Sequence, residues 1–195
     1  MVSPTDVTKY WIDEVGETGW YKQDAAIDGA IRSRFFATWE AASHDLSILD
    51  SWCATPDGTL AALILLDQFP RNMFRDDPRA FSTDDKARAV SKKAIERGCD
   101  VRIPEPERQF FYLPLMHSEC LCDQERCVRL LKTRMTTESA NDNLLHAKAH
   151  REVIRRFGRF PTRNAALSRQ NTCSEATFVE EEGGYGALVN ALRAA

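Results

Sequence analysis

Four polar side chains fall within six residues at the end of the stretch LAALILLDQFPRN: Asp67, Gln68, Arg71 and Asn72. The residues just before them, 60–66, are apolar on every side, which reads as a helix buried all round. A carboxylate, amides and a guanidinium delivered by such a helix must be paired with something. Asp67 and Arg71 stand four residues apart, so they are expected to touch. Pro70 is expected to end or kink the helix, because it removes a backbone donor and pushes Phe69 away from α geometry.

Three other groups could do chemistry. A helix from about Glu107, kinked or restarted at Pro114, is expected to run to about Met135. On it, Leu121, Gln124, Val128 and Leu131 fall within about 40° of His117 at 3.6 residues per turn. His117 is then either a core histidine with a hydrogen-bond partner or an imidazole lining a cleft near Asp67 or Arg71. Glu119 belongs to the first turn or two, where a carboxylate suits the helix dipole. His146 and His150, four residues apart, share a helix face. Their spacing can hold a metal, but a third ligand is lacking and HAKAH has no glutamate of the HExxH kind. His117 with Cys120, Cys122 and Cys127 cannot converge on one ion from a continuous helix, since Cys122 points nearly opposite to the other two. No metal, no disulfide and no cofactor are expected. Last, residues 151–169 hold six arginines (Arg151, Arg155, Arg156, Arg159, Arg163, Arg169) against one acid, Glu152. Such a block is a solvated face, a set of buried ion pairs to Asp67 and Glu119, or a pocket for a carboxylate or phosphate.

The elements that position these groups are helical throughout. Ser3 and Pro4 read as N-cap and first helical position, with Gly16 as the stop. Asp24 caps a helix with Ile27, Ile31, Phe35 and Trp39 on one stripe. Pro56-Asp57-Gly58 signals a turn, and Ser82 with Asp85 a capping box ending at Gly98. A helix from about Ser139 to Phe157 stops at Gly158. Ser174 caps a short helix through Phe178, and a last weak helix follows Gly183-Gly184. No segment alternates with period two, so the chain is all-α, with roughly eight to ten helices. Phe69-Pro70-Arg71-Asn72 is echoed by Phe160-Pro161-Thr162-Arg163-Asn164. This is either chance similarity of helix ends or two halves that set matching Arg-Asn groups near one another.

A chain of 195 residues suits one domain, residues 1–195, burying about 70% of its unfolded surface. Its net charge of −3 argues against general nucleic-acid binding. No apolar run reaches the ~20 residues of a membrane span. With no secretory signal visible, the six cysteines are expected to be reduced thiols in a cytoplasm.

LLDQFPRNMFRDDPRAF, FFYLPLMHSE, DQERCV and HREVIRRFGRFPTRNAALSR, in this order, resemble the DUF924 family of uncharacterised proteins, from about Trp11 to Phe178. The resemblance implies an all-helical fold similar to tetratricopeptide-like arrays, a compact set of antiparallel helix pairs in a superhelix or bundle. It carries no activity. Its signature positions here are Asp67, Gln68, Arg71, Asn72, His117, Glu119, His150, Arg151, Arg159, Arg163 and Asn164. The family usually has His where this chain has Thr162, and His146, Cys120 and Cys122 are outside its pattern. The leading expectation is a binding module, with Asp67, Arg71, His117, His150 and Arg163 in one cleft holding a small anionic ligand or a peptide carboxylate. The alternatives are hydrolysis in that cleft, with His117, His150 or Glu119 in acid–base roles, and a purely structural network.

Overall fold

Ser3 opens the first helix in a computed structural model that describes residues 1–194, the side chains of Glu138 and Ser139 excepted. Ala195, the last residue of the expected domain, lies outside them. The Ser3 hydroxyl accepts from the Asp6 amide and the Asp6 carboxylate accepts from the Ser3 amide, closing a capping box at α1 (Pro4–Thr8). α1 widens into a π turn, Lys9–Val15, and stops at Gly16, whose φ is +65°. Asp24 caps α2 (Ala25–His44) by accepting from the amides of Ala26 and Ile27. Of the expected stripe, Ile31, Phe35 and Trp39 are buried. No strand occurs among the described residues, and the chain is all-α. It divides into two compact units, Met1–Pro114 and the part from Leu115 onward.

In the first unit two local signals act differently from expectation. Pro56 does not turn the chain; it is the first residue of α3 (Pro56–Leu63), whose N-cap is Thr55. Gly58 sits in that first turn because a Cβ there would meet the Trp52 carbonyl oxygen at 2.2 Å. α3 then continues through a π turn, Ile64–Gln68, into α4 (Phe69–Met73). Phe69 keeps α geometry at φ −59°, ψ −38°, so the helix does not end at Pro70. The Phe69 amide reaches back five residues to the Ile64 carbonyl, the bond that defines a π turn. The carbonyl that an amide at position 70 would have bonded in an α-helix is that of Leu66. It accepts from the Thr83 hydroxyl at 2.6 Å instead, and the Trp39 indole donates to the same hydroxyl at 3.2 Å. This also explains why the Ser82–Asp85 capping box does not form. Thr83 is the N-cap of α5 (Asp84–Glu96), and its side chain is turned to Leu66. Around this helix, Phe69 packs on Phe35 and Trp11, with ring centroids 4.7 and 5.6 Å away.

The unit boundary falls inside the short helix α6 (Leu113–Met116). The expected continuous helix is broken at residues 117–120, and α7 (Leu121–Arg134) is separate. Gln124 Nε2 donates to the Met116 and Ser118 carbonyls, both at 2.6 Å, satisfying backbone groups freed by the break. Leu121 is 40% exposed, so no apolar stripe joins it to His117. α8 (Glu138–Phe157) ends at left-handed Gly158 as expected. Thr172, not Ser174, caps α9 (Cys173–Glu180), in a capping box with Glu175. α10 (Gly184–Ala194) follows. Val153, Ile154, Phe160 and Phe178 form one core cluster of the second unit, with Phe157, Tyr185 and Leu188 packed against it.

Candidate functional site

The first unit holds Asp67, Gln68, Arg71 and Asn72. Asp67 is 1% exposed and accepts from its neighbour Gln68 at 2.5 Å. Arg71 lies 3.6 Å from the Asp67 carboxylate, donates to the Asp67 carbonyl at 2.8 Å, and grips Asp84 with two bonds of 2.9 and 3.0 Å. Burial opposes the charge on Arg71, but Asp67 and Asp84 outweigh it and hold its pKa above the ordinary value. Asn72 donates to Asp28 at 2.9 Å, and Asp28 also pairs with Arg75 at 2.6 Å. These groups answer one another's charge within the unit.

The second unit holds His117, Glu119, His150, Arg151, Arg159, Arg163 and Asn164. Most of the arginine block is matched by acids: Arg151 with Glu125 at 3.1 Å, Arg156 with Glu152 at 3.0 Å, Arg159 with Glu175 at 2.6 Å, and Arg169 with Glu119 at 2.9 Å. Glu119 accepts from the Phe160 amide as well, at 2.9 Å. Burial pushes the Glu119 carboxyl up, but Arg169 and that amide prevail and hold it below the usual range. Asn164 is buried and donates to Asn171 at 2.8 Å.

His150 and Arg163 are placed differently. A cavity of about 170 Å³ is lined by the apolar side chains of Val153, Phe160 and Phe178 and by the polar ones of His150, Thr162 and Tyr185. Phe160 carries His150 on its edge at 5.4 Å between centroids and the Arg163 guanidinium 4.5 Å from its own. Arg163 also donates to the His117 carbonyl at 2.9 Å, and the His117 and His150 rings lie 6.3 Å apart. Burial, then the nearby His117, lower the pKa of His150 to about 3, against its bond to the His146 carbonyl. The ring is therefore neutral at ordinary pH. Tyr185 links the histidines: its hydroxyl is 2.9 Å from His150 Nδ1 and 2.7 Å from His146 Nδ1. Burial pushes its phenol up.

The matching family model, described as a bacterial protein of unknown function (DUF924), covers residues 7–183. The chain belongs to the DUF924 family. A solved structure of a protein of unknown function from Agrobacterium tumefaciens is 38% identical, with a TM-score of 0.83 over 91% of this chain and 97% of that one. No curated protein matches the chain. Within this DUF924 chain, Thr162 sits where the resemblance leads one to expect histidine, and its exposed side chain lines the cavity. Tyr185 and Phe178 are cavity residues that sequence reasoning did not single out. Tyr185 follows two glycines, and no local signal ties it to histidines 35 and 39 positions away. Among the described residues, no group of three or more His, Cys, Asp and Glu side chains could hold a metal ion, and no helix is long and apolar enough to cross a membrane. The six cysteines are free thiols.

Proposed function

We propose that this protein is a binding module for a small carboxylate ligand, held in the cavity of the second unit. One observation carries this reading: the Arg163 guanidinium lies 4.5 Å from the centroid of Phe160, a ring that forms the cavity wall. The Arg163 guanidinium, whose charge also acts on Glu119, stands behind the wall of a partly apolar cavity, where a positive charge favours an anion because field lines are weakly screened. The aromatic and aliphatic walls would take the ligand's apolar body. His117 supports Arg163 through its carbonyl. A histidine whose pKa has fallen to about 3 is a poor general base near neutrality, which favours binding over hydrolysis. We infer a cytoplasmic setting, supported by the free thiols, with no nucleic acid or membrane as partner.

The test compares benzoate with its neutral isostere benzamide by calorimetric titration. Benzoate is expected to bind at least about tenfold more tightly, a difference near 1.4 kcal/mol. Arg163→Gln is expected to remove that preference and Arg163→Lys to keep part of it. Equal binding of the two compounds, or saturation by neither at millimolar concentration, would reject the reading.

A further inference from the structure

The cavity's polar wall is set by which nitrogens of two histidines carry protons. His150 Nδ1 lies 2.9 Å from the His146 backbone carbonyl. A carbonyl only accepts, so this Nδ1 must carry the proton. The Tyr185 oxygen, 2.9 Å from the same nitrogen, then accepts from it too. The phenol proton has two acceptors within reach, His146 Nδ1 at 2.7 Å and the His146 carbonyl at 3.5 Å, and the shorter contact favours a bare Nδ1 on His146. His146 consequently carries its proton on Nε2, 3.5 Å from the Asp142 carboxylate, a favourable orientation for that dipole. One tyrosine hydroxyl thus fixes the two rings in opposite tautomers. For His150 the result is a bare Nε2, at the far end of a ring that lines the cavity. That nitrogen makes no hydrogen bond among the described residues. It can accept and cannot donate.

We propose that the cavity selects a small hydroxylated aromatic acid, whose hydroxyl donates to His150 Nε2 while its carboxylate is held near Arg163. The inference rests on the carboxylate reading above and adds the polar group the ligand must bring. The size fits: about 170 Å³ is slightly more than the ~150 Å³ of a cavity that takes benzene. The lining fits as well, since Phe160, Phe178 and Tyr185 offer ring faces and edges to a flat body. A bare acceptor is costly to leave unpaired once a ligand has displaced water from it. A site of this kind discriminates against a ligand that lacks the donor.

The experiment titrates the whole protein with 4-hydroxybenzoate and with benzoate. The hydroxy acid is expected to bind at least tenfold more tightly, and His150→Phe to abolish that preference. Long-range ¹H–¹⁵N correlation of the histidine rings in the unsubstituted protein is expected to show the proton on Nδ1 of His150 and on Nε2 of His146. This measurement stands even if His150→Phe fails to fold. Equal affinities for the two acids would overturn the inference and leave the carboxylate reading intact. Binding of neither would overturn both. A proton on His150 Nε2 would overturn the inference whatever the affinities.

Discussion

Phe69-Pro70-Arg71-Asn72 and Phe160-Pro161-Thr162-Arg163-Asn164 are near copies in sequence and unlike in structure. Phe69 is α-helical, and the first string lies inside a helix. Phe160 is extended, at φ −90°, ψ 107°, and the second string opens a 3₁₀ turn, Pro161–Arg163. The arginines differ accordingly. Arg71 sits between two carboxylates, Asp67 and Asp84, in a cluster that balances itself. Arg163 lies over an aromatic ring at a cavity wall and donates to a backbone carbonyl. The first arginine answers carboxylates of its own unit, and on the proposed reading the second sets the charge that a ligand would meet. What decides between these outcomes is outside both strings. Thr83 takes up the Leu66 carbonyl in one case, and Glu119 takes the Phe160 amide in the other.

The largest expected effect tests that division. Arg71→Met leaves Asp67 and Asp84 without their shared cation and should cost about 3–5 kcal/mol in urea unfolding. Arg163→Met gives up the bond to the His117 carbonyl and the contact with Phe160, among others, and should cost less, about 1–2 kcal/mol. Equal losses would erase the distinction between the two.

Acid should then weaken the fold through the neutral imidazole of the second unit. The pKa of His150 in the fold, about 3, lies below its ordinary 6.5. Between those values the unfolded chain binds a proton that the folded chain refuses. The contribution of this ring is constant well above pH 6.5 and declines as the pH falls toward 3, by at most about 1.4 kcal/mol per pH unit for one proton. Urea midpoints measured across this range should flatten in His150→Phe; an unchanged slope would mean that the ring titrates normally.

The smallest effect concerns the proline inside the helix. Thr83→Val strands the Leu66 carbonyl and the Trp39 indole, at a cost of about 1–3 kcal/mol. In a Pro70→Ala background the cost should shrink, because an amide at position 70 can bond that carbonyl. A double-mutant cycle with no coupling would show that Thr83 does not substitute for the missing donor.

Helix ends proved legible in the sequence wherever the bonding that makes them is local. Ser3 before Pro4 as an N-cap, Asp24 as another, and the positive-φ glycines Gly16 and Gly158 as stops were all readable from the local sequence. The passage through Pro70 was not, since its support comes from Thr83, thirteen residues on. Nor was the break at residues 117–120, which is held by Gln124 from the following helix. The same rule applies to the site. His146 and His150 on one face are a local fact, whereas the Tyr185 that joins them arrives from another helix. The Arg151–Arg169 block looked cationic because its acids, Glu119, Glu125 and Glu175, lie elsewhere along the chain.

The π turn at residues 64–68 also bears on chain length. Such a turn holds one residue more than an α turn, while the helix on either side keeps its phase. One residue can therefore be lost here by closing the turn, with Phe69 and Met73 still facing the interior they face now. Insertions and deletions are tolerated mainly in surface loops. In this fold the most buried helix carries a length adjuster of its own.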